Sequence, residues 1–78
     1  MSTEAEEQVA AIYSSVLNVP GAMISPADDL FSLGGDSLQA IRVALELERT
    51  FGVEVTPESL AESSSVRDVA ARLAGKRR

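Results

Sequence analysis

Residues 34–52 read GGDSLQAIRVALELERTFG, and this stretch carries start and stop signals for one complete α-helix. Asp36 or Ser37 can cap the start, because a side-chain oxygen there can accept a hydrogen bond from a backbone N–H of the first turn. Gly52 can end the helix, since glycine readily adopts the left-handed conformation of a C-terminal cap. We therefore predict a helix from about Ser37 to Phe51.

Two apolar stripes run along this helix when successive residues are placed about 100° apart. The first, here called the core stripe, is the obvious buried face and contains Ala40, Val43, Ala44, Leu47 and Phe51. The second, here called the outer stripe, begins beside Ser37 and contains Leu38, Ile41 and Leu45. A small bundle can hardly bury both stripes. The outer stripe either packs under the neighbouring loop or forms a partly exposed docking strip for partner proteins. Both can hold in part, and Ile41 is the deepest candidate for half-burial.

The rest of the chain predicts three further helices. A first helix ends near Leu17, before the helix-breaking NVPG, and a capping box of Thr3 and Glu6 fits its start. Thr56 and Pro57 begin a short helix, as cap and first helical residue. A last helix follows the serine run 63–65, which we interpret as cap and loop, and Gly75 stops it. Apolar positions at helical spacing support the first and last helices; they are Ala5, Val9, Ile12 and Val16, then Val66, Val69, Ala70 and Leu73.

A long connection, residues 18–35, joins the first two helices. It contains Pro20 and Pro26 and closes on a pair of glycines. Its apolar residues are enough to hold it against the core; these are Met23, Ile24, Leu30, Phe31 and Leu33. Asp28 and Asp29 can cap a short turn within it. The predicted fold is all-α: a small four-helix bundle with three main helices, one short helix and a long loop between helices 1 and 2.

Composition excludes several classes of function. The chain has 78 residues, which indicates one domain, residues 1–78. Its formal net charge of −5 would repel nucleic acid, with its phosphates, and anionic membrane. Such a surface suits partners with basic patches. Without cysteine or histidine there is no disulfide framework and no zinc site, and we predict no metal. The polar N-terminus is not a signal peptide, so we expect a cytoplasmic monomer.

Ser37 lies in the tetrapeptide GDSL, which also labels a family of serine esterases. A serine nucleophile needs a base, nearly always histidine, and this chain has none. Its one lysine, Lys76, is in the terminal tail, and the chain is too short for the esterase fold. Two interpretations remain open from the residues alone. Ser37 either receives a phosphate-linked group, which a helix N-terminus favours, or serves only as part of a turn and cap.

The stretch 29–60, DLFSLGGDSLQAIRVALELERTFGVEVTPESL, closely resembles the thiolation (peptidyl carrier) domains of nonribosomal peptide synthetases, within the acyl carrier protein-like superfamily. The motif of that family reads roughly Asp-x-Phe-Phe-x-Leu-Gly-Gly-(Asp/His)-Ser-(Leu/Ile). It is matched here from Asp29 to Leu38, with Leu30 replacing the first phenylalanine. The likeness extends over essentially the whole chain.

The resemblance implies that Ser37 carries 4′-phosphopantetheine as a phosphodiester, flanked by Gly35, Asp36 and Leu38. A phosphopantetheinyl transferase would install the arm from coenzyme A, using magnesium in its own active site. Asp36 would either meet a basic group of that enzyme or act only as a cap. Cargo would ride as a thioester between an adenylation enzyme and condensation, tailoring or thioesterase enzymes, with Leu38, Ile41 and Leu45 contacting these partners. The carrier would contribute no catalytic residue.

Two alternatives stay open. Carriers of polyketide and fatty acid pathways share the fold, but they usually lack the LGG lead-in, and the fatty acid carriers have a more acidic second helix. Here Arg42 and Arg49 balance Glu46 and Glu48, which favours an aminoacyl carrier. The initial methionine and short charged ends favour a free-standing carrier over an internal module, although a domain excised from a larger synthetase would look the same. From another class, the chain could be a small acidic helical interaction domain in which Ser37 merely caps a helix.

Overall fold

The computed structural model describes residues 4–76, which form four α-helices. These helices are α1 (Glu4–Leu17), α2 (Ser37–Phe51), α3 (Pro57–Glu62) and α4 (Val66–Lys76), and a single 3₁₀ turn spans Gly21–Met23. Within the described residues, the only β-type pairing is one isolated bridge between Asp29 and Ser65. The predicted all-α bundle of three main helices and one short helix is therefore confirmed. The predicted capping box at Thr3 lies outside the described residues.

The core lies between α1, α2 and α4, with α3 closing one side of α2. All five members of the core stripe are buried, as the helical spacing predicts. On α1, Val9 is fully buried while Ala5, Ile12 and Val16 are only partly so. Tyr13, which the predicted α1 face omits, is completely enclosed, and its hydroxyl donates to the carbonyl oxygen of Ser64 at 2.6 Å.

The long loop is tied to the first turn of α4 by its backbone. The N–H groups of Val66 and Arg67 donate to the carbonyl oxygens of Asp28 and Pro26, each at 2.9 Å. The first N–H groups of a helix have no acceptors within the helix. These two bonds supply acceptors for N–H groups of α4, and the same bonds hold the loop against that helix. The helix cap is completed by Ser65, whose hydroxyl oxygen accepts from the N–H of Asp68 at 3.1 Å.

Leu30 is the side chain that anchors the loop in the core. It is fully buried, and its N–H donates to the buried hydroxyl of Ser64 at 3.0 Å. Ile24 and Leu33 pack partly against the core, as predicted. Met23 and Phe31, predicted to help hold the loop down, are instead exposed. Leu30 and the bonds to α4 already hold the loop in place, so Met23 and Phe31 are not needed to pack against the core.

Helix ends follow the predicted chemistry at Thr56 and Gly52 but not at Gly75. Thr56 caps α3, with its hydroxyl accepting from the N–H of Ser59 at 3.2 Å and Pro57 following as first helical residue. Gly52 ends α2 in the left-handed conformation, with φ of 70°. α4 passes through Gly75 to Lys76, so the expected stop at Gly75 is wrong, and its φ is not in the left-handed region that ends helices. No helix in the described part of the chain is long and apolar enough to cross a membrane.

Candidate functional site

A tight turn delivers the chain to the start of α2. The N–H of Gly34 donates to the carbonyl of Phe31 at 3.0 Å, and the N–H of Gly35 donates to the carbonyl of Leu30 at 2.9 Å. A β-carbon at position 35 would lie 2.7 Å from the Leu30 carbonyl oxygen, a distance at which the backbone must shift. Gly34 has φ of 94°, which side chains rarely allow. Both glycines are therefore required by the turn that positions α2.

Asp36 is the N-terminal cap of α2. Its carboxylate accepts from the N–H of Gln39 at 2.9 Å, and its own N–H donates to the side-chain oxygen of Gln39 at 3.2 Å. This reciprocal pair is a capping box, which fixes where the helix begins. Of the two predicted candidates for the cap, the structure selects Asp36. Asp29 likewise caps the preceding turn, because its carboxylate accepts from the N–H of Ser32 at 2.6 Å.

Ser37 is the first helical residue, and its side chain is exposed at the tip of α2. Among residues 4–76 no group hydrogen-bonds its hydroxyl, and the N–H groups of Ser37 and Leu38 have no acceptor there either. The first intrahelical acceptor is the Asp36 carbonyl, bonded by Ala40 at 2.9 Å. The Ser37 hydroxyl therefore takes part in no hydrogen bond of the described fold. It lies beside two N–H groups without acceptors, at the positive end of the helix dipole.

The outer stripe is open to solvent along two turns of α2. Leu38, Ile41 and Leu45 are 74, 53 and 50% exposed, so the stripe is not buried under the loop. Ile41 is half-buried, as expected, but Leu45 is slightly less exposed and is the deepest of the three. Met23 and Phe31 are the other two large exposed apolar side chains of the described residues. Sequence reasoning missed these two, because a loop has no period that distinguishes inward from outward positions.

Two side chains whose pKa the structure shifts, Tyr13 and Asp68, lie away from Ser37. The pKa of Tyr13 is raised, because burial disfavours its phenolate, and that residue lies in the core. The pKa of Asp68 is lowered by its hydrogen bonds with Ser63 and then Ser65, which lie in the connection between α3 and α4. Residues 4–76 contain no cluster of acidic side chains that could hold a metal ion. The sequence contains no histidine, and the carboxylate of Asp36, next to Ser37, is engaged by the Gln39 N–H.

Residues 7–73 match the protein-family model described as "Phosphopantetheine attachment site". Nonribosomal peptide synthetase 1 of Aspergillus fumigatus is 39% identical over 70 residues, which are 90% of this chain but 1% of that synthetase. An active-site mutant of a peptidyl carrier protein, solved in solution, superposes with a TM-score of 0.88 at 29% identity, covering 97% of this chain and 82% of that one.

A crystal structure of holo T3CT is similar in the same way, with a TM-score of 0.81 at 29% identity. The match covers 92% of this chain and 96% of the other. The fold is thus shared over nearly the full length of both domains. The match to the synthetase covers most of this chain, but the chain spans only a small fraction of that relative's length.

Proposed function

This chain belongs to the phosphopantetheine attachment site family, as a peptidyl carrier (thiolation) domain, and we propose that its Ser37 hydroxyl bears the arm. The observation that carries the assignment to Ser37 is its free, exposed hydroxyl at the tip of α2. The capping function that would explain a serine there is performed by Asp36. The interpretation of Ser37 as no more than a helix cap therefore loses its structural basis.

The residues around Ser37 fit a phosphodiester. The unpaired N–H groups of Ser37 and Leu38 lie at the helix N-terminus, where a negative phosphate is stabilised by the helix dipole. A side chain at Gly35 would point into Leu30, whereas one at the exposed Gly34 would extend into open space, so glycine there leaves the loop side open. The exposed Leu38 offers apolar surface on the helix side. The arm, when attached, supplies a terminal thiol on which cargo is held as a thioester.

Attachment requires a separate enzyme. The Ser37 oxygen would form a bond to the pantetheine-bearing phosphorus of coenzyme A, and the bond from that phosphorus to the bridging oxygen of the diphosphate would break. Adenosine 3′,5′-bisphosphate would leave with the bridging oxygen. The hydroxyl proton would pass to a base of the phosphopantetheinyl transferase, and magnesium held by that enzyme would supply charge stabilisation for the leaving phosphate. This chain supplies the acceptor oxygen and the docking surface, and we propose that it has no catalytic role of its own.

The outer stripe is the surface that we assign to partner enzymes. Its three side chains, Leu38, Ile41 and Leu45, start directly beside Ser37 and remain in water in the free domain. Covering them releases that water, so docking there is favourable. We propose the transferase, an adenylation enzyme and condensation, tailoring or thioesterase enzymes as partners, meeting a cytoplasmic, monomeric carrier. Tethering would raise the concentration of cargo at each partner's active site.

The decisive experiment is modification of the purified protein. Incubation with coenzyme A, magnesium and a broad-specificity phosphopantetheinyl transferase should add the mass of one phosphopantetheine, and Ser37→Ala should abolish the gain. Ser15→Ala is the matched control, because Ser15 is also an exposed helical serine. Modification that persists in Ser37→Ala, or no modification of the wild type, would refute the assignment. Ester hydrolysis lost in Ser37→Ala would restore the esterase interpretation.

A further inference from the structure

A groove between α1 and α2 adjoins the outer stripe and carries positive charge. It has a volume of about 410 Å³ and is lined by Ser15, Val16, Arg42, Leu45, Glu46 and Arg49. Leu45 belongs to both surfaces, so the groove continues the outer stripe. At about 100° per residue, Arg42 and Arg49 both fall directly beside the outer stripe on the helix surface.

The two arginines of this groove differ in their pairing. Arg49 donates to the carboxylate of Glu46 at 3.3 Å, in an exposed pair one helical turn apart. No residue in the described range 4–76 forms a hydrogen bond or an ion pair with Arg42, although it is exposed on the same groove. Glu46 is already engaged, so the groove presents one unmatched guanidinium beside the apolar surface of Leu45.

This local charge is opposite to that of the whole chain. The net charge is −5, yet α2 carries two arginines and two glutamates and is neutral by formal count. The first turn of α1, by contrast, holds Glu4, Glu6 and Glu7. A partner attracted by the chain as a whole would be basic, as the composition predicts. At Arg42, in the groove beside the outer stripe, the matching group on a partner would instead be negative.

We propose that the phosphopantetheinyl transferase places a carboxylate in this groove against Arg42, an inference that rests on the proposed attachment at Ser37. The transferase is the partner that must reach the Ser37 oxygen itself, whereas later enzymes act at the far end of the arm. Arg42 and Leu45 lie about 7.5 and 12 Å along the helix from Ser37. An interface of ordinary size, about 800 Å² on each partner, extends well beyond these distances.

The pairing determines orientation and specificity more than affinity. Glu48 borders the opposite edge of the outer stripe, so a partner that matches both edges can dock in one direction only. A partner with a cation opposite Arg42 is disfavoured, because like charges brought together across an interface repel. The composition alone indicates a basic partner and does not reveal that a negative group is needed opposite Arg42.

The test compares charge reversals in the transferase reaction used for Ser37. We expect Arg42→Glu to lower kcat/KM at least about tenfold, through KM, and Arg42→Gln to lower it less. Arg67→Glu on α4 is the matched control, because it changes the net charge equally at an exposed arginine away from α2, and it should stay within about twofold. The difference between wild type and Arg42→Glu should shrink as salt is raised.

Each contrary outcome is distinct. If the wild type is never modified, the proposed function fails as a whole. If the wild type is modified and Arg42→Glu behaves like Arg67→Glu, or reacts faster than wild type, the carboxylate in the groove is refuted while the attachment at Ser37 stands. Sedimentation should show a monomer at assay concentrations, and a dimer that Arg42→Glu dissociates would give the groove to a second copy of this chain, overturning the proposal.

Discussion

The core stripe and the outer stripe of α2 share one helix, one spacing and similar apolar residues, yet the first is buried and the second lies in water. Both begin within the first turn after Ser37. The core stripe faces α1 and α3 and is buried, whereas the side chains of the outer stripe stay half exposed or more. The same kind of side chain therefore stabilises the fold on one face and stays available to another protein on the opposite one.

The largest effect should come from emptying the core stripe. Phe51→Ala removes a buried ring, and we expect it to lower the free energy of unfolding by about 3–5 kcal/mol, because lost transfer energy and a residual cavity both contribute. Leu45→Ala on the outer stripe should change it by about 0.5 kcal/mol or less. Urea unfolding followed by circular dichroism measures both, and equal losses would erase the contrast between the stripes.

A smaller effect should follow from the cap that starts both stripes. Asp36→Ala removes the carboxylate that accepts from the Gln39 N–H, and we expect a loss of about 0.5–2 kcal/mol of stability. Ser37→Ala removes a hydroxyl without a hydrogen-bond partner among residues 4–76 and should stay within about 0.5 kcal/mol. Thermal unfolding of the two variants side by side provides the measurement. A larger loss for Ser37→Ala would mean that its hydroxyl has a structural role.

The smallest effect on stability should come from placing charge on the outer stripe. Leu38→Asp and Leu45→Asp keep their side chains in water, so their unfolding midpoints should stay close to that of the wild type. Loading by the transferase and by an adenylation enzyme should nevertheless fall by about tenfold or more, because a docking surface then carries an unpaired charge. If either variant unfolds, the outer stripe belongs to the core and the docking assignment is wrong.

Local chemistry along the chain was sufficient to predict α2, its bounds, its C-terminal cap at Gly52 and the membership of both stripes. These features depend on residues close in sequence, through helical spacing and hydrogen bonds within one turn. The same holds for Thr56 and Pro57 at the start of α3. Of the candidate site, Ser37 and its neighbours were identified by the motif, and the attachment itself stays a prediction.

Tertiary structure alone decided what the long loop does with its apolar residues. Leu30 is buried while the adjacent Phe31 is exposed, and no periodic pattern separates them. The difference arises because Ser64, far along the chain, offers a buried hydroxyl to the Leu30 N–H, and because α4 takes the loop carbonyls of Pro26 and Asp28. Which apolar stripe stays open depends in the same way on where the other helices pack. Helical spacing is a property of neighbours in sequence, whereas burial is a property of residues brought together by the fold.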